Sequence, residues 1–131
     1  MRTTYYLGKN QILAIHKYSI EQYGGAHGLR SEGMLLSAIS RPQMSAFGED
    51  AYKTLFEKVA ALGHSLISNH PFIDGNKRVG FKAMLAMLKI NGYIFKVSDD
   101  EAYNFVLAIA KGECDIPVMA DWLRSHSVEV K

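Results

Sequence analysis

The chain has 131 residues, 48% of them hydrophobic, and fifteen Lys and Arg against thirteen Asp and Glu leave a net charge of +2. That length suits one domain with a single core and needs no disulfide staple, while the near-balance of charge does not by itself argue for a nucleic-acid or membrane surface. Cys114, the sole cysteine, has no intrachain partner, and no charged-then-apolar leader opens the sequence. No apolar run approaches the roughly 18 residues of a membrane span, and a reducing cytoplasm is the expected setting.

Residues 1–7 alternate weakly and predict a short extended lead-in. Asn10 is the expected cap of a first helix, in which Ile12, Ile15, Ile20 and Tyr23 follow helical spacing and Gly24-Gly25 form the stop. Ser31 caps a second helix carrying Met34, Leu35, Ala38 and Ile39, which ends before Pro42 because proline disfavours helical geometry in the preceding residue. Residues 42–50 show no period and are either a functional flap or a plain connector. A third helix from about Ala51 sets Leu55, Val59, Leu62 and Leu66 on one stripe. His70 continues that spacing where the helix runs out. After a loop at residues 71–75, the run from Asn76 carries no polar residue between Ala83 and Leu88, the mark of a helix surrounded by others, and Asn91-Gly92 ends it. Residues 93–97 read as extended. Ser98, Asp99, Asp100 and Glu101 fit a capping box for a helix that buries Ala102, Phe105, Val106 and Ile109 and stops at Gly112. Asp115 opens a last helix with Met119, Trp122 and Leu123 inward, and residues 127–131 predict a frayed tail. The expected architecture is all-α, a single domain of six helices around a central one.

Reactive residues gather at the entrance to that central helix, in the run His70, Pro71, Phe72, Ile73, Asp74, Gly75, Asn76, Lys77, Arg78. The first amides of a helix have no intrahelical acceptor, so those of Gly75, Asn76, Lys77 and Arg78, with the positive end of the dipole and two cations, predict a phosphate seat. The Asn76 side chain is expected at the same oxygens. His70 borders the seat as a candidate general base, and Asp74 offers a hard oxygen for Mg²⁺. Phe72 is the expected apolar pin of the loop. Asp74 also suits a plain helix cap, and Lys77 and Arg78 sit where the dipole repels cations, a position that calls for a compensating anion. His16, His27, His64 and His126 stand outside any motif and are read as structural. No HExxH, CxxC or Walker-type loop is present, so nucleotide binding rests wholly on this helix start.

His70-Pro71-Phe72-Ile73-Asp74-Gly75-Asn76-Lys77-Arg78 resembles the signature of the Fic/Doc family, and its GNKR wording resembles the death-on-curing (Doc) toxin branch. Adenylylating members typically read HxFx(D/E)GNGRxxR; this chain has Lys77 for the second Gly and Phe81 for the last Arg. The resemblance extends to residues 28–43, GLRSEGMLLSAISRPQ, and over most of the chain. It implies a six-helix Fic/Doc-type bundle and a toxin of a toxin–antitoxin pair. The implied activity is kinase-like: a phosphoryl group passes from ATP or another nucleoside triphosphate, with Mg²⁺, to a protein hydroxyl, a threonine of translation elongation factor Tu in the family. His70, Asp74, Lys77 and Arg78 are then the catalytic set, with Gly75, Asn76, Lys77 and Arg78 on the phosphates.

Lys77 is the residue that favours this reading, since its bulk obstructs the adenylylating pose and its charge attracts a terminal phosphate. Gly75 matches the adenylylating pattern and keeps AMP transfer open, and a non-catalytic binding module is a third reading. The self-inhibiting pattern [ST]xxxE[GN] is broken by Gly28 ahead of Glu32-Gly33. By resemblance, control then falls to a separate antitoxin whose segment folds into a groove of this domain. No direct nucleic-acid contact is expected.

Overall fold

The computed structural model describes residues 3–130. Six helices make the body: α1 Lys9–Tyr23, α2 Glu32–Ser40, α3 Leu55–Asn69, α4 Asn76–Ile90, α5 Asp99–Ala110 and α6 Ile116–Ser125. A 3₁₀ turn, Arg41–Gln43, follows α2. Two antiparallel pairs complete the chain, β1 Ser45–Ala46 with β2 Glu49–Asp50 and β3 Tyr93–Phe95 with β4 Ser127–Glu129. No helix among the described residues is long and apolar enough to cross a membrane.

Capping residues set most of these starts. Ser31, Thr54, Ser98 and Asp115 each accept a backbone N–H of the following turn, and Ser98 with Glu101 closes the expected capping box. The first helix starts at Gly8 and not at Asn10: the Gln11 side chain accepts the Gly8 N–H at 2.9 Å, so Asn10 lies inside the first turn. α3 begins at Leu55, four residues later than its stripe predicts, because Ala51 N–H is turned back to Met44 O at 2.9 Å. The Met34 and Tyr23 side chains are exposed despite lying on apolar spacing.

The tightest packing is between α3 and α4. Ten of the fifteen residues of α3 are buried against seven of the fifteen of α4, so α3 is the more enclosed of the two. Apolar composition alone singles out α4, but α3 is covered by α2, α4, α5 and α6 together. The two helices approach closely because each presents a glycine. A Cβ on Gly80 would stand 2.5 Å from Ile67 Cγ1, and one on Gly63 would overlap the Met84 side chain.

Residues 42–50 are not irregular. Pro42 and Gln43 belong to the 3₁₀ turn, and residues 45–50 form a hairpin with a two-residue loop, Phe47 and Gly48, both at positive φ, 53° and 78°, the turn geometry that matches strand twist. Phe47 projects fully into solvent. The return of the hairpin is tied to the core by two cations. Lys58, 4% exposed, donates to Tyr52 O and pairs with Asp50 Oδ2 at 3.1 Å. Arg41 donates from Nε to the Tyr52 hydroxyl at 2.8 Å and from Nη1 to Ser65 Oγ at 2.9 Å and His64 Nδ1 at 3.0 Å. Burial, and then the adjacent Arg41 charge, hold His64 below the ordinary histidine range, which keeps Nδ1 an acceptor.

The tail is likewise ordered: β4 pairs with β3 through Ile94 and Val128, and Lys96 N–H donates to His126 O at 2.7 Å. Lys131 and the first two residues of the lead-in lie outside the described residues.

The α3–α4 contact yields a stability test. Gly80→Ala should gain up to about 1 kcal/mol of helix propensity but lose about 1–3 kcal/mol to overpacking against branched Ile67. A lower urea midpoint at unchanged m-value is the expected result.

Candidate active site

Helix α3 ends at Asn69, and His70 closes it in the left-handed region, φ 49° and ψ 59°. A residue other than glycine rarely sits there, although histidine is among those enriched. Six residues later α4 begins, and the short loop between is held from three sides.

Beneath the loop, Phe72 is 1% exposed and stacks on the buried His16 ring at 3.9 Å and 7°. His16 Nε2 lies 2.9 Å from Asp74 O, and since a carbonyl only accepts, the ring proton is on Nε2. Inside it, the Asn76 side chain returns to Phe72: Oδ1 accepts Phe72 N–H and Nδ2 donates to Phe72 O, both at 2.9 Å. Alongside it runs the α1–α2 connector. Ala26 N–H reaches Asp74 Oδ2 at 3.0 Å, Ile73 N–H reaches Gly28 O at 3.0 Å, and the N–H groups of Arg30 and Ser31 both reach Pro71 O, at 2.8 and 3.0 Å. The Arg30 guanidinium adds bonds to His70 O and Asn69 O.

These bonds narrow the predicted phosphate seat. Gly75 N–H is already taken by Asp74 Oδ1 at 2.9 Å, and the Asn76 side chain, 8% exposed in its residue, is spent on the loop. Neither group therefore contributes as the sequence predicts. Among the described residues no side chain caps α4, so the amides of Asn76, Lys77 and Arg78 remain open at the positive end of its dipole. Gly75 itself has φ 78°, a conformation that glycine adopts without strain.

The open amides face a pocket of about 580 Å³. His70, Asp74, Lys77 and Arg78 line its polar side, and Phe81 with Ala102, Tyr103, Val106 and Leu107 of α5 line the other. His70 is exposed, and its imidazole makes no hydrogen bond among the described residues. Of the two cations expected to need an anion, Arg78 finds a different compensation, which it shares with Lys82 one turn on. Their cations sit over the Tyr23 ring, at 4.5 and 5.2 Å from its centroid, so an aromatic face already offsets part of the repulsion from the helix dipole. Lys77 has neither an ion pair nor a ring partner among the described residues.

The Asp74 carboxylate is exposed and ionised. The Ala26 amide, then the Gly75 amide, hold it below the usual carboxylate range, with smaller help from Arg78 and His16. Among the described residues no three His, Cys, Asp or Glu gather to hold a metal. Asp74 is, among the described residues, the one carboxylate lining the pocket, and each of its oxygens keeps a lone pair beyond its amide bond. This fits a cation such as Mg²⁺ that takes one protein carboxylate and completes its shell from phosphate and water.

Sequence reasoning did not find His16, Arg30, Tyr23 or Tyr103. His16 did leave a signal, because it interrupts the buried stripe Ile12, His16, Ile20 at four-residue spacing. The other three are assembled by tertiary packing and left none.

The site is that of a Fic-type fold: histidine at a helix end, then an acidic, glycine-containing loop leading into a bare helix N-terminus. The sequence profile described as the Fic/DOC family matches residues 6–88, and the chain belongs to that family, on its Doc side. It is 35% identical over 119 residues to Toxin Doc of Mycolicibacterium smegmatis, covering 89% of each chain. It is 29% identical over 119 residues to Protein kinase doc of Escherichia phage P1, covering 91% of this chain and 93% of that protein.

The depressed Asp74 carboxyl sets the sign of a pH effect. Its folded-state value lies below its unfolded one, so the stability it adds is present above the usual carboxylate range and is lost as pH falls through the depressed value. Asp74→Asn should therefore lower the melting temperature at pH 7, and the difference from the parent should shrink as pH is lowered through and below the usual carboxylate range, measured by thermal unfolding across that interval.

Proposed function

We propose that this chain is the toxin of a toxin–antitoxin pair, and that it transfers the terminal phosphoryl group of a nucleoside triphosphate, ATP in the first instance, to a protein hydroxyl. One observation carries this reading: an exposed His70 shares a pocket with the open amides of α4 and with Lys77, a cation that has no partner among the described residues. The names of the two relatives, a toxin and a protein kinase, agree with it.

The chemistry follows from the groups present. The amides of Asn76, Lys77 and Arg78 orient the phosphate oxygens, and the Lys77 and Arg78 charges stabilise the negative charge spread over the transferring group. His70 accepts the hydroxyl proton as the new O–P bond forms and the bond from the γ-phosphorus to the β-bridging oxygen breaks, releasing the nucleoside diphosphate. Asp74 would hold Mg²⁺, which when bound neutralises phosphate charge. The apolar α5 wall, with Tyr103 at its rim, suits a nucleoside.

AMP transfer is the weaker reading. Gly75 is the residue that favoured it, and the left-handed backbone at that position accounts for the glycine without reference to the nucleotide. Phe81 occupies part of the pocket wall where adenylylating relatives place an arginine. A threonine of translation elongation factor Tu is the proposed target, by family resemblance, with inhibition of translation in the cytoplasm as the result. A small antitoxin protein supplies the brake. The Glu32 of the broken self-inhibition pattern is engaged elsewhere, with Lys9 Nζ at 2.7 Å.

Incubation with cytosolic extract and ATP labelled at either position separates the readings. Label from the γ but not the α phosphate should remain on the target, and His70→Ala should reduce transfer by about 10²- to 10⁴-fold, the range for a lost general base. Retention of the α label would establish AMP transfer instead, and full growth inhibition by His70→Ala would establish a binding module. In a second measurement, removing Phe47 and Gly48 from the hairpin should impair target modification while leaving nucleotide affinity unchanged.

A further inference from the structure

We propose that Arg30 is the positioning residue that aims the His70 imidazole. The inference rests on the reading of His70 as the base, and it begins from what the ring lacks. A catalytic histidine is commonly oriented by a hydrogen bond to its second nitrogen. Here no protein group among the described residues bonds either nitrogen, so the direction of the ring is inherited from the backbone that carries it. That backbone is left-handed at φ 49°, a conformation that persists only where surrounding bonds fix it.

Arg30 supplies those bonds. Its Nε–H donates to His70 O at 2.6 Å, its Nη2 donates to Asn69 O at 2.8 Å, and its own backbone N–H donates to Pro71 O at 2.8 Å. Three successive carbonyls, before, at and after the left-handed turn, are thus held by one residue. Two of them belong to the C-terminal end of α3, where the helix dipole favours a cation. The planar guanidinium fork fixes both carbonyls in one geometry, which a lysine ammonium cannot do. Arg30 makes no ion pair among the described residues, so its charge is committed to this turn. The base of the clamp is firm, because the next residue, Ser31, donates to the same Pro71 O and caps α2.

The phosphate seat stands apart from the clamp. Its amides lie at the start of α4, and the loop beneath is held by Asn76 and His16, which share no hydrogen bond with Arg30 among the described residues. Loss of Arg30 should therefore misplace the base and leave the nucleotide site in place. Because Arg30 is exposed, its removal opens no cavity.

The test compares wild-type protein with Arg30→Ala, Arg30→Lys and His70→Ala, using γ-labelled ATP and the modified target. For Arg30→Ala, kcat should fall about 10- to 100-fold, as for an approximately 1 Å misplacement of a reacting group, with the KM for ATP within about twofold. Arg30→Lys should be intermediate, and millimolar guanidinium should restore part of the Arg30→Ala rate. In ¹⁵N spectra of the five histidines, only the His70 imidazole should shift in Arg30→Ala. Wild-type kcat in Arg30→Ala overturns the inference, as does a parallel loss of ATP affinity with shifts at His16. Should Arg30→Ala not fold, wild-type kcat in Arg30→Lys overturns it equally. Activity in His70→Ala removes the reading of the site itself, whereas an inactive His70→Ala beside a fully active Arg30→Ala removes this inference alone.

Discussion

The strap of backbone hydrogen bonds between residues 70–75 and the α1–α2 connector is the constraint on which the rest of the molecule depends. A six-residue passage between two helices has no helix or strand of its own to satisfy its polar groups, and where it is buried, at Pro71 and Phe72, it must find partners for them elsewhere. Here Pro71 O, Ile73 N–H and the Asp74 carboxylate all find them on residues 26–31. Phe72 anchors the same loop from below by filling the core between α1 and α4, against His16. Polar satisfaction fixes the path of the chain, and apolar burial fixes its depth. The result is a loop with one shape, from which one exposed imidazole and one carboxylate project into the pocket.

That arrangement explains why the first turn of α4 is left bare. Most helices of this chain begin under a Ser, Thr or Asp cap, whereas α4 begins at Gly75 with no side-chain cap. Asp74 stands one residue ahead of the N-cap, and its oxygens are turned to Ala26 and Gly75, one position too early to cover the amides that follow. The left-handed glycine makes that offset, since it rotates the chain between the carboxylate and the helix. Electrostatic strain at the same turn is shared out: Arg78 rests on the Tyr23 ring, while Lys77 remains available to the pocket. The Ser, Thr or Asp cap that opens α2, α3, α5 and α6 is absent at the helix start that lines the pocket.

The supporting framework is rigid where it matters. Close approach of α3 and α4 through Gly63 and Gly80 makes one packed unit of the two helices that carry the histidine and the open amides. The hairpin beside them is a light appendage on firm footings, with Lys58 and Arg41 joining its base to α3 and its tip left in water. β4, returning to pair with β3, closes the chain against the end of α4 and ties α6 to the same body.

By itself the sequence determined the local and the periodic. Helix number, the Ser31, Ser98 and Asp115 caps, the apolar stripe of α3 and the run from His70 to Arg78 were all legible, because capping and periodicity act within a few residues. The family was legible too, since its motif is contiguous. Tertiary structure decided everything that depended on distant partners. It gave the Asn76 side-chain amide to Phe72 instead of to an anion, set Arg78 on Tyr23, turned residues 45–50 into a hairpin and paired the tail with β3. It also made α3 the more enclosed helix, although α4 has the longer unbroken apolar run. A hydrogen-bonding group takes the partner that folding brings within reach, and no spacing along the chain encodes that Arg30 will meet the carbonyls of Asn69 and His70 some forty residues away.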